Sequence, residues 1–177
     1  MPRSRRWPSS VGGAPRWAVA CAWATPACVV PSGVWRTLVG FGAPLGWSDA
    51  QLRVERMPGF GTAYVVTLTV LSVSAAALTL GLVYPWGERI PRWVPTAGGR
   101  RLPVWVPALL AMSGAAMVTY LIVLSVVHWS SVSGFADRPR SGPALLMVGC
   151  YAPAALWPVL LLAVTGSYVQ RRTRARR

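Results

Sequence analysis

The chain has 177 residues, 54% of them hydrophobic and only 12% charged, about half the charged share of an ordinary soluble domain. Eighteen basic residues against four acidic ones leave a formal net charge of +14. That balance raises nucleic-acid binding, but the basic residues flank uncharged apolar runs of spanning length, which is a positive-inside pattern and sets nucleic acid aside as a partner. Every basic residue is Arg and none is Lys, which fits a GC-rich coding bias and needs no functional explanation.

Residues 1–16 hold Arg3, Arg5, Arg6 and Arg16 among Pro, Ser and Gly and read as a disordered basic tail. Arg5-Arg6-Trp7 is followed by Pro8 and polar residues, and no small-residue cleavage site follows the first apolar run, so no removed signal peptide is expected. The first span is placed at about 17–36. Pro26 and Pro31 are expected to kink it, Arg36 to end it or snorkel to the interface, and Ala18, Ala20, Ala22 and Ala24 to offer a small-residue face. In the stretch 37–60, Ser48-Asp49-Ala50-Gln51 predicts a capped short helix reaching Arg56. That helix either lies on the bilayer surface or belongs to a plain solvated connection.

The second span, 61–84, has no ionisable group except tyrosine and carries Ser72, Ser74, Ala75, Ala76 and Ala77 as a small-residue centre. Residues 85–103, PWGERIPRWVPTAGGRRLP, separate it from the third. Trp86 and Trp93 stand where an aromatic belt would place them. Glu88 and Arg92 are one helical turn apart, and Arg89, Arg92, Arg100 and Arg101 are placed to face anionic lipid. Docking of a protein partner is the competing reading of this loop.

The third span is placed at about 102–129, with Pro103 and Pro107 in its first turns, Ala111, Gly114 and Ala115 on one face, and His128 and Trp129 at its end. A polar connection with Asp137, Arg138 and Arg140 leads to the fourth span, 143–169, which Pro153 and Pro158 are expected to bend. Residues 170–177 form a basic tail with five arginines. The N-tail, the 85–103 loop and the C-tail together hold thirteen arginines against five in the other two connections. The expectation is an all-α integral-membrane four-helix bundle in the plasma membrane, multi-pass, with the N and C termini cytoplasmic.

PSGVWR at 31–36, PWGERIPRWVP at 85–95 and GGRR at 98–101 resemble segments of a group of four-span membrane proteins from high-GC bacteria. The resemblance extends over about residues 17–170. It implies the four-span fold and transfers no activity, cofactor or site residue.

No motif for phosphate, cofactor or metal binding is present. Cys21 and Cys28 are seven residues apart on one helix, about 10 Å, too far to bridge, and Cys150 lies in another span. Neither a cofactor nor a metal is therefore expected. The weak catalytic candidates are His128 with Asp49, Glu55 and Asp137, all assigned to the outer side, near Ser130, Ser131 and Ser133. The functional expectation is an accessory or scaffold component of a membrane complex, contacting anionic lipids and other membrane proteins or its own copies. An outer-face enzyme using His128, or a small-solute transporter subunit, are the alternatives.

Overall fold

The computed structural model describes residues 14–88, 103–129, 135 and 140–174. Four helical segments are long and apolar enough to cross a membrane: Arg16–Gly40, Phe60–Leu82, Trp105–Val127 and Gly142–Arg174. The shortest has 23 residues, about 34 Å of helix against a hydrocarbon core of roughly 30 Å. No strand occurs among the described residues. The chain is an all-α four-helix bundle of a multi-pass membrane protein. Its surface agrees: Leu109, Leu110, Met117, Tyr120 and Val126 of the third span are all more than half exposed. A helix that is apolar on every side is solvated by lipid, not water.

The first span is helix α1 (Arg16–Gly40). It continues through Pro26 and Pro31 and runs past Arg36, which lies inside the helix. Thr25, Ser32 and Thr37 donate back to the carbonyls of Cys21, Val29 and Gly33, so these hydroxyls are satisfied within the span. Beyond it, α2 (Asp49–Val54) starts at the expected Ser48 cap, with Gln51 Oε1 accepting from the Ser48 N–H at 2.8 Å. It stops before Arg56, whose φ of 54° is left-handed. Leu52 is its buried residue and enters an aromatic cluster with Trp35, Trp47 and Phe135, so α2 docks on the bundle end.

Helix α3 (Phe60–Ala77) passes into a 3-10 segment, Leu78–Leu82, and a second 3-10 turn follows at Pro85–Glu88. Helix α4 (Trp105–Val127) is the third span. The fourth is broken as its prolines predict: α5 (Gly142–Tyr151), a 3-10 segment Ala152–Leu156, then α6 (Trp157–Arg174). Pro153 has no N–H to give Gly149, which loosens the ladder there. α6 continues through residues 170–174, so the start of the C-tail is helical.

Helices approach through small residues, as expected where lipid removes any hydrophobic drive between them. Gly33 lies on Thr69, and Gly40 on Val65 and Thr62. Thr62 Oγ1 donates to the Gly40 carbonyl and accepts from the Gly59 N–H, joining α1 to α3. On the opposite face of α1, Ala18 and Ala22 pack with Val164 and Tyr168 of α6 and Ala115 of α4. Ala20 is exposed and Ala24 only half-buried. Residues two apart point to different sides of a helix, so the expected four-alanine face is a two-alanine face.

α1 and the fourth span form the centre. α3 lines α1, α4 lines α6, and α4 has no packed interface with α3 or α5. Arg16, the Leu82–Tyr84 cluster and Arg171 share one end, where Arg171 Nη2 donates to the Leu82 carbonyl at 2.8 Å. α2, Trp129 and the start of α5 share the other.

Candidate functional site

His128 caps the C-terminus of α4 and is exposed. Its Nδ1 lies 3.1 Å from the Leu124 carbonyl of its own helix, so in that contact Nδ1 carries the proton and Nε2 is the open nitrogen. Asp49 sits in the first turn of α2 and Glu55 at its C-cap, both exposed. No hydrogen bond or ion pair among the described residues joins either to His128. Asp137, Ser130, Ser131 and Ser133 lie outside the described residues. Of the loop residues, Trp86 is described: it is 55% exposed and its ring edge rests on Gly81. Glu88 ends the 3-10 turn. Arg89, Arg92, Trp93, Arg100 and Arg101 lie outside the described residues. Among the described residues no cluster of His, Cys, Asp or Glu is fit to hold a metal ion.

The charged group that the fold places inside a spanning helix and against another span is Arg36. It stands four residues before the end of α1, about 6 Å inside it. Its guanidinium carbon lies 5.9 Å from the centre of the Tyr151 ring, and Tyr151 is nine residues into the fourth span, about 13 Å along it. Tyr151 is held in turn by Trp35, edge-on at 5.8 Å and 75°, and Trp35 by Trp47 at 6.4 Å and 70°. Rings from two spans and one loop thus form a chain of contacts that ends at a single cation. Arg36 makes no ion pair or hydrogen bond with any described residue, and its Nε is buried. An arginine at the centre of a span costs about 2.5–3.5 kcal/mol on insertion scales and less near an end. The contact with Tyr151 returns about 0.5–2 kcal/mol.

Arg36 borders a cavity of about 480 Å³, within the usual range for small-molecule sites. The cavity exists because α4 packs through its first half, at Ala108 and Ala115, and leaves its neighbours in the second. Val118, Leu121, Ile122, Ser125 and Trp129 then face Val29, Ser32, Tyr151 and Trp157 across open space. The floor is the 3-10 break, where Ala152, Ala154 and Ala155 are too small to fill it. Irregular backbone at membrane depth is tolerated where it lines such a space. Trp157 contributes a second buried donor, Nε1–H, without a hydrogen-bond partner among the described residues. The hydroxyls of Ser32, Ser72 and Ser125 donate to carbonyls of their own helices. The cavity is therefore apolar-walled, and Arg36 is the cation among the described residues that line it.

The sequence pointed to Arg36 only as a boundary residue. Pro153 and Pro158 signalled the break that makes room, but nothing in the sequence pairs that break with residue 36. Comparison with protein-family models, with curated proteins and with solved structures found no match.

Proposed function

We propose that this four-span protein is an accessory or scaffold component of a plasma-membrane complex, with both termini in the cytoplasm. The observation that carries the reading is the one-sided seating of α4. Of its 23 residues only Ala108 and Ala115 are buried, so most of a full-length apolar helix is free for another span. Flexible exposed residues on it, Met112 and Met117, suit adaptable helix contacts. The arginine distribution favours the cytoplasmic placement of the termini, and the 85–103 loop is then presented to anionic lipid of the inner leaflet.

The test is in-membrane photo-crosslinking from Met117 and Tyr120 on α4, with Val70 and Leu71 on α3 as the control face. A defined protein adduct from α4 and not from α3 supports the scaffold role. Lipid adducts alone from both faces refute it. A solute-transporter subunit is the second reading, favoured by the broken fourth span beside a cavity. Solute flux in proteoliposomes of the purified chain separates it from the first.

A further inference from the structure

We propose that the cavity between the second half of α4, α1 and the fourth span is a binding site for one anionic phospholipid, its phosphate at Arg36 and one acyl chain lying toward Trp157. This goes beyond the scaffold reading and does not depend on it.

Three observations select that ligand. First, the walls are apolar, formed by Val29, Val118, Leu121, Ile122 and the alanines of the break, so the bulk of the occupant is hydrocarbon. Second, among the described residues the only charged one lining the cavity is Arg36, and none of their carboxylates neutralises it. A guanidinium left against an aromatic ring with a buried free Nε–H calls for an anionic acceptor, and its planar fork suits phosphate oxygens. Third, Arg36 and Trp157 both line the cavity, and each carries a buried donor, Nε and Nε1, with no hydrogen-bond partner among the described residues. A lipid supplies acceptors at two depths, phosphate near the interface and ester carbonyl below it. The two donors are ordered the same way: Arg36 lies near the end of α1, while Trp157 lies deeper, packed with Val29, Cys28 and Ala76.

Access fits as well. α4 has no packed interface with α3 or α5, so the cavity opens sideways into the bilayer. A lipid reaches it by lateral diffusion without crossing water. A free phosphate ion would have to leave water for an apolar pocket and would gain no contact for most of the cavity.

The experiment is native mass spectrometry of the full chain released from nanodiscs that contain equal amounts of phosphatidylglycerol and phosphatidylcholine. The expected result is one retained phosphatidylglycerol, preferred over phosphatidylcholine by about tenfold or more, the size of one charge-assisted hydrogen bond. Arg36→Gln should abolish the preference, and Arg36→Lys should keep part of it. Ala155→Phe leaves Arg36 in place but fills the cavity, and should lose the adduct in a protein that still shows native helix content. Inorganic phosphate should raise the melting temperature of the wild type no more than an equal concentration of chloride does. Equal retention of the two lipids by the wild type overturns the proposal. So does an adduct that survives both Arg36→Gln and Ala155→Phe, or stabilisation by phosphate alone that matches the lipid.

Discussion

Replacing Gly33 by alanine puts the α1–α3 seam under direct strain. A Cβ at Gly33 would stand 2.8 Å from Thr69 Cγ2, well inside the distance at which two carbons attract. Two effects then compete. Alanine is the better helix former by about 0.8–1.0 kcal/mol, while forcing a methyl into a packed contact costs about 1–3 kcal/mol. Thr69 cannot simply turn away, because its Oγ1 donates to the Val65 carbonyl at 2.8 Å and losing that bond costs about 0.5–1.5 kcal/mol. The net expectation is a loss of about 1 kcal/mol. Thr69→Ser removes the offending methyl and keeps the hydroxyl, so adding it to Gly33→Ala should recover most of the loss, a non-additivity expected of residues in contact. Gly166 is the control, since nothing lies within 4 Å of a Cβ added there; Gly166→Ala should be neutral or stabilising. Thermal unfolding in detergent micelles reads these variants and Thr69→Ser alone. If Gly33→Ala is as stable as the wild type, or Thr69→Ser fails to rescue it, the seam is not packed as described.

Arg171→Gln should lower stability by about 1 kcal/mol, because it removes the donor that holds the Leu82 carbonyl at the end of the second span; the same unfolding assay checks it, and an unchanged midpoint counts against that contact. Reporter fusions after Arg101 and Arg177 should give cytoplasmic signal and fusions after Glu55 and Asp137 the opposite, whereas a cytoplasmic signal at Glu55 would remove the first span from the topology. His128→Gln should shift stability by no more than about 0.5 kcal/mol, since the ring is exposed and bonds its own helix; a clearly larger loss would reveal a contact that the fold does not account for.

Length and hydropathy made the fold legible. An uncharged run of some twenty residues has few alternatives to a spanning helix, and all four runs became one. Local signals were legible for the same reason. Ser48 and Gln51 are three apart and formed the cap expected of them, and Pro153 broke the fourth span where a missing N–H must. What failed was the inference of faces. Ala18 and Ala22 are buried and Ala20 is not, because α1 is shared between α3 on one side and α6 on the other. Spans that are apolar all round carry no amphipathic stripe to tell which side meets which neighbour. Pro26 and Pro31 sit inside α1, which continues through both; the rest of its ladder and the packing on two sides are enough to carry the helix past two missing donors.

The cavity was illegible for a different reason. Its existence depends on where α4 stops packing, and its chemistry on a contact between residues 36 and 151, which lie in the first and last spans. No periodicity or motif encodes such a pairing. Charge does leave one trace. Arg36 lies inside helix α1, four residues before its end, with apolar residues on both sides of it in the sequence. An arginine within a span is held there by something, and rings account for only part of the cost. The Arg36 guanidinium lies over the Tyr151 ring, which Trp35 meets edge-on, with Trp47 against Trp35 in turn. An anchor works best when free to snorkel. A cation over a ring beside an open, apolar-walled space is organised to receive an anion with a hydrocarbon body, and that is why Arg36, not His128, is the first residue to change.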